Sequence, residues 1–133
     1  MKNILIITTL LLTSQIVFGQ TEFIFKVDSL HSEITDFNQV PEKEMLIEVK
    51  GGELFLSGYD MFMEEGKTTT FKLAQELGEG EQQADYTLYS SWLYYNNPSP
   101  DCNLIIYEYK DNNVMLVIET AAFITKYYCT KKE

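Results

Sequence analysis

Arginine is absent from this 133-residue chain: all 10 of its cations are lysine, set against 20 acids, for a net charge of −10. Nucleic-acid binding needs clustered cations to neutralise phosphates, and bidentate readout of phosphate or guanine leans on the guanidinium fork. Neither is available, so no nucleic-acid partner is expected. The same sign argument excludes an anionic membrane surface, whereas a basic partner protein would be attracted. The plainer account of the charge is solubility.

Histidine occurs once, at His31. A serine or cysteine hydrolase needs an imidazole held against its nucleophile and oriented by a third group, and nothing in the sequence pairs His31 with one. One histidine and two distant cysteines give no zinc-ligand spacing. Oxygen-rich stretches at Asn96-Asn97-Pro98-Ser99-Pro100-Asp101, at Asp111-Asn112-Asn113 and over 76–85 lack the regular acid spacing of a calcium loop. Turn chemistry already accounts for their Asn, Asp and Pro. No metal and no cofactor is expected.

Long apolar runs are missing as well, beyond the first residues. The opening MKNILIITTLLLTSQIVFGQ has one early cation, Lys2, an apolar stretch from Ile4 to Leu12, and Val17-Phe18-Gly19 after a polar break. This pattern predicts a secretory signal peptide over residues 1–19, cleaved between Gly19 and Gln20. An uncleaved anchor is the alternative, but a bilayer core needs about 20 apolar residues, and this run is shorter and broken by threonines. No cysteine follows the cleavage site, so no lipid anchor is indicated. Residues 20–133 are expected to form a single exported domain, periplasmic or extracellular, without membrane insertion, and large enough for one modest core.

What the chain has in quantity is tyrosine, with 9 in all, and most of them fall in short runs that read as strands. Phe23 to Val27 is one such run. The next residues, DSLHSEITDFNQ, offer Asp28 or Ser29 as an N-cap and set Leu30, Ile34 and Phe37 at helical spacing, which predicts one short helix ended by Pro41. In MLIEVKGGELFLS the Gly51-Gly52 pair suits a two-residue primed turn, pairing Lys50 with Glu53, Val49 with Leu54 and Ile47 with Leu56. A second hairpin, YDMFMEEGKTTTFKL, turns near Glu65-Gly66. Residues 75–85 should be an exposed loop, 85–96 a strand, LIIYEYKDNNVMLVIE a third hairpin, and FITKYYC a last strand. The expected fold is mostly β: an antiparallel β-sandwich or small barrel built from hairpins, with one short N-terminal helix after the export signal.

Candidate sites follow from the strand faces. A turn at Asp111-Asn112 or Asn112-Asn113 places Glu108 and Glu119 on one otherwise apolar face, diagonal neighbours roughly 7–8 Å apart in the second register. Two such carboxylates could divide acid and base roles, or simply reach water or a lysine at the edge of the face. In the strand 85–96 neither side is polar. The side of Trp92 carries more apolar bulk and is assigned to the core, leaving Tyr89 and Tyr95 open as an amphipathic platform. Tyr89, Trp92, Tyr95, Glu108 and Glu119 are therefore the binding candidates, with no catalytic residue assigned. The function expected is a non-catalytic binding or interaction module for a protein, a glycan or a small apolar ligand. A carrier with its ligand in a barrel interior is the alternative, and a carboxylate-dependent hydrolase a further one.

Two cysteines remain in an exported chain, which predicts a Cys102–Cys129 disulfide closing a loop of about 28 residues and adding roughly 3.5 kcal/mol in the chain-entropy model. The bond carries a topological condition. Were 104–109, 114–119 and 123–129 a plain meander, the sulfurs would lie at opposite ends of the sheet, so the chain must reverse near Thr120-Ala121-Ala122 or pair its last segment elsewhere. Two free thiols are the alternative.

Overall fold

The structure, a computed structural model, describes residues 22–33, 37–95 and 98–132. The expected leader and its cleavage point lie outside these residues. Ten strands run along the chain: β1 (Phe23–Ser32), β2 (Phe37–Gln39), β3 (Leu46–Lys50), β4 (Glu53–Ser57), β5 (Thr69–Leu73), β6 (Glu81–Gln82), β7 (Tyr86–Tyr94), β8 (Cys102–Tyr109), β9 (Asn113–Glu119) and β10 (Ile124–Lys131). Eight of them pair in the order β1-β3-β4-β5-β7-β8-β9-β10, all antiparallel, and β10 pairs back to β1 to close the ring. The sheet is thus an up-and-down barrel, with β2 added beside β1 and β6 beside β7. Closure gives each of the eight strands a partner on both sides, the shortest seam being β5 to β7, where only Lys72 with Tyr94 and Leu73 with Leu93 pair, so among the described residues no long strand edge of the barrel is left open.

The Gly51-Gly52 hairpin is as expected. Both glycines have positive φ, 59° and 74°, as a primed turn requires, and the pairs Lys50–Glu53, Val49–Leu54 and Ile47–Leu56 are all present. The Lys50 ammonium, however, meets Glu48 at 3.3 Å.

Among the described residues of 28–39 there is no helix. Asp28 to Ser32 continue β1, and Phe37 to Gln39 are β2; Ile34 lies outside the described residues. The cause is strand pairing: Ser29 to Ser32 pair with β10, and Leu30 to Ser32 pair with Phe37 to Gln39 of β2, which overrides the local propensity. β1 also carries a β-bulge. Val27 pairs with Cys129 and Ser29 with Tyr128, so Asp28 is an extra residue that breaks the period of two, and Phe25, Val27 and Leu30 all point inward.

The third hairpin contains a second correction. Glu108 pairs with Val114 and Tyr107 with Met115, one residue away from the register expected for a turn at Asp111-Asn112 and three from that for Asn112-Asn113. Lys110, Asp111 and Asn112 form a three-residue loop in which Asn112 adopts φ 71°, the left-handed position such loops end on. A slip of one residue turns every side chain to the other face. Leu104, Ile106, Val114, Leu116 and Ile118 therefore point in together, all buried, and Glu108 shares their side while Glu119 faces out.

The inward side chains fill the barrel. Phe25, Ile47, Leu54, Leu56, Phe71, Leu93, Leu104, Ile106 and Leu116 are fully buried and belong to one continuous cluster. An eight-stranded barrel is just wide enough for its side chains to fill or to hold one small ligand, and here the side chains occupy it. The segment 75–85 is mostly exposed, as expected, but it is not all loop: Glu81–Gln82 form β6, Leu77 is buried against the core and Ser91 Oγ donates to the Gln75 carbonyl at 2.7 Å.

The disulfide is not formed: Cys102 and Cys129 are free and buried. β8, β9 and β10 make the plain meander. Cys129 is level with Val114 and hence with Glu108, six positions along β8 from Cys102, or about 20 Å at the rise of a strand. A disulfide needs Cα atoms about 4.4–6.8 Å apart. Burial first, and then Asp101, pushes the Cys102 thiol from 9.0 up to about 11; burial, and then Asp28, raises Cys129 as well. Folding thus favours the neutral thiols, a contribution whole below pH 9.0 and lost as pH rises towards 11. At pH 8 the folded protein should take up no iodoacetamide, and the urea-unfolded chain, without reductant, should take up two equivalents. An unfolded chain that stays unlabelled until reduced would restore the disulfide.

Candidate functional site

Strand β7 faces the opposite way from expectation. Leu93 is fully buried, Tyr89 and Ser91 nearly so, and Trp92 is 53% exposed. Tyr89 packs edge-on against Phe23, ring centroids 5.0 Å apart, and burial followed by the nearby Glu108 charge raises its hydroxyl above the usual tyrosine range. Tyr95 leans on Phe71 at 5.2 Å, half-buried. Apolar bulk chose the wrong face because both faces have it. The strand's inside is set by its pairing to β8, which aligns Tyr89 with Ile106, Ser91 with Leu104 and Leu93 with Cys102.

The residues turned outward along β7 to β10 form a wall in which apolar and aromatic side chains predominate. Register places Leu88, Tyr107, Met115 and Tyr128 in one row across four strands, Ser90, Ile105, Val117 and Lys126 in the next, and Trp92, Asn103, Glu119 and Ile124 beyond. Tyr86 lies at the other end, its ring 5.5 Å from Tyr107 and 5.8 Å from Tyr109. Val117 is packed so closely by its neighbours that it is buried although it faces out. Trp92 and Tyr128 stand clear, 53% and 41% exposed. By strand spacing and rise the wall covers roughly 14 by 20 Å, on the order of 300 Å², with Ser90, Asn103, Lys126 and Glu119 set among its apolar side chains. Two depressions border it. One is lined by Gln75, Ser90, Trp92, Asn103 and Ile105, the other by Asp28, Tyr109, Asn113, Met115 and Tyr128.

The two carboxylate candidates are not brought together. Glu108 points to the core side at one end of the barrel and pairs with Lys131 at 3.1 Å. Lys131 shares that side because it is aligned with Phe25. Glu119 lies on the wall, beside Asn103 and Ile124. Opposite faces of one sheet cannot flank a single scissile bond.

A third feature was not anticipated. Leu30, Met61, Phe62, Met63 and Phe123 line a cleft of ≈ 430 Å³ at the other end of the barrel, with Ser32, Gln39 and Thr125 on its strand side. The loop Asp60–Glu64 forms one wall and is firmly built: Asp60 Oδ1 accepts from the amides of Phe62 and Glu64, each at 2.9 Å, and the Met63 amide donates to the Asp60 carbonyl at 3.0 Å. Met61-Phe62-Met63 was visible in the sequence as three large apolar residues in a row inside a turn, where alternation cannot bury them all. Among the described residues no group of three His, Cys, Asp or Glu side chains is placed to hold a metal ion. No protein-family model matches the chain, and no curated protein or solved structure shows significant similarity to it.

Proposed function

We propose that this protein is an exported, non-catalytic recognition module that docks a protein partner on the outer wall of β7–β10. The observation that carries this is Trp92, held 53% exposed at the end of this wall on the side of the strand that ordinarily meets water. Tyrosine, tryptophan and methionine are the residues enriched at protein interfaces, and aromatic anchors dominate their energetics. The wall is too small for a permanent dimer but matches the centre of a standard interface of about 800 Å² per partner. A chain of net charge −10 repels its own copy and steers a basic partner towards it. The packed interior favours docking from outside over carriage within. That interior is apolar, the reverse of the polar lumen of a transmembrane barrel, in keeping with a water-soluble exported protein.

The test is a paired capture. The tagged wild-type protein and the double variant Trp92→Ser/Tyr128→Ser are each incubated with the envelope and medium fractions of the producing cells. A partner retained by the wild type and lost by the variant is expected, with unfolding free energies that differ by no more than about 1 kcal/mol because both side chains are exposed. Equal retention by the two would remove the wall from the account.

A further inference from the structure

We infer that the cleft at the mouth of the barrel is a second, independent binding site, for a small uncharged molecule that is mostly hydrocarbon with one hydrogen-bonding end. Barrel mouths are a preferred place for ligand sites, and pockets of about 300–1,000 Å³ with apolar walls and a few polar groups are their usual form. This one has ≈ 430 Å³. Its loop side offers two thioethers and a phenyl ring, soft surfaces that adapt to apolar ligands. Its strand side offers Ser32 and Thr125, aligned across β1 and β10, with Gln39 aligned to Leu30 on β2. The hydroxyls and the amide can each donate or accept.

Two further observations point to a ligand. Met63 holds φ 62°, a conformation an L-residue other than Asn or Asp seldom adopts, and such strain persists where surrounding structure enforces it and clusters at ligand clamps. The enforcement is visible in the Asp60 hydrogen bonds, and in the Met61 amide donating to Thr69 Oγ1 at 3.2 Å. Phe62, beside it, is 68% exposed on a loop that is not free to fold it away. The ligand's charge follows from the lining, which among the described residues contains no charged side chain. An anion would meet no cation there and a strongly acidic chain around it; a cation would lose its hydration with no carboxylate in contact.

Three probes with one chain length separate these cases: 1-decanol, decanoate and decylammonium, titrated into the full protein with its methionine methyl groups observed by NMR. Decanol should shift Met61 and Met63 saturably while Met45, in the core, and Met115, on the outer wall, stay in place. The two charged probes should bind at least about tenfold more weakly, the cost of desolvating an unpaired ion. Phe62→Ser should weaken decanol by about tenfold through loss of one aromatic contact. Met63→Gly, which relieves the backbone, should weaken it too without lowering the unfolding midpoint. No saturable shift up to the solubility limit, equal affinity for all three probes, shifts confined to Met115, or unchanged affinity in both variants would each overturn the inference. The outer wall stands or falls separately, since Met115 reports on it in the same spectrum.

Discussion

Gly58→Ala should unfold the barrel at a far lower urea concentration than Gly51→Ala, although both glycines have positive φ, 90° and 59°. The left-handed conformation alone costs an alanine about 1–2 kcal/mol, and at Gly51 that is the whole cost, because nothing lies within 4 Å of the added methyl. At Gly58 the methyl would sit 2.3 Å from the Glu44 carbonyl oxygen and 3.3 Å from the Met45 Cα. Those are backbone atoms that no rotamer change can move. Met45 is fully buried, and its carbonyl accepts from the Val27 amide at 2.9 Å, so the displacement spreads into the seam between β1 and β3. A loss of more than about 3 kcal/mol is expected, a large share of the 5–15 kcal/mol typical of a domain. In urea, where slopes run at about 1–3 kcal/mol per molar, the excess over Gly51→Ala should lower the midpoint by a further ~0.3–2 M, according to the slope. Equal midpoints would mean that the chain crossing at Glu44 is not where the structure places it.

Phe71→Ala should cost about 3–5 kcal/mol, as removal of a packed aromatic does. Phe71 is fully buried, aligned with Leu54 across β4 and β5, and in ring contact with Tyr95. The size of the loss distinguishes a filled barrel from a hollow one. Where the interior was already a ligand cavity, a shorter side chain would merely enlarge it, and the loss would drop towards the transfer cost of the missing carbons. Phe62→Ala is the control, on a side chain 68% exposed, and should stay within about 0.5 kcal/mol of the wild type. A Phe71 variant as stable as the Phe62 variant would return the interior-carrier reading to first place.

The β class and the Gly51-Gly52 hairpin were legible because turn chemistry is local, whereas the hairpin expected around Glu65-Gly66 is not formed: β5 pairs with β4, and Tyr59 and Glu65 make only an isolated bridge. Gly51-Gly52 admits one short turn, and its register follows from the turn. What could not be read was parity, the decision as to which alternate residues face in. In β1 the extra residue Asp28 changes parity halfway along, and nothing in DSLHS marks a bulge. Between β8 and β9 the letters DNN serve a two-residue or a three-residue loop equally well, and the left-handed Asn112 selects the second. That single residue moved Glu108 to the core side and left Glu119 outside, dissolving the carboxylate pair. In β7 the two serines gave no warning that one of them, Ser91, is buried with its hydroxyl satisfied by Gln75. The cysteine pairing failed for a different reason: it follows from export and from the count of two, neither of which carries distance. The mouth cleft joins Leu30, Met61 and Phe123, far apart in the chain, and only closure of β1 on β10 brings them together.

Recognition by the outer wall can be measured at one residue, because Trp92 is the only tryptophan. Its fluorescence, followed under acrylamide quenching in the free protein and again in the purified complex with the captured partner, reports on the wall and on nothing else. In the free protein the indole should be quenched almost as readily as in the urea-unfolded chain, and in the complex it should be shielded and its emission shifted to shorter wavelength. An indole already shielded in the free protein, or one quenched equally in both states, would contradict the account.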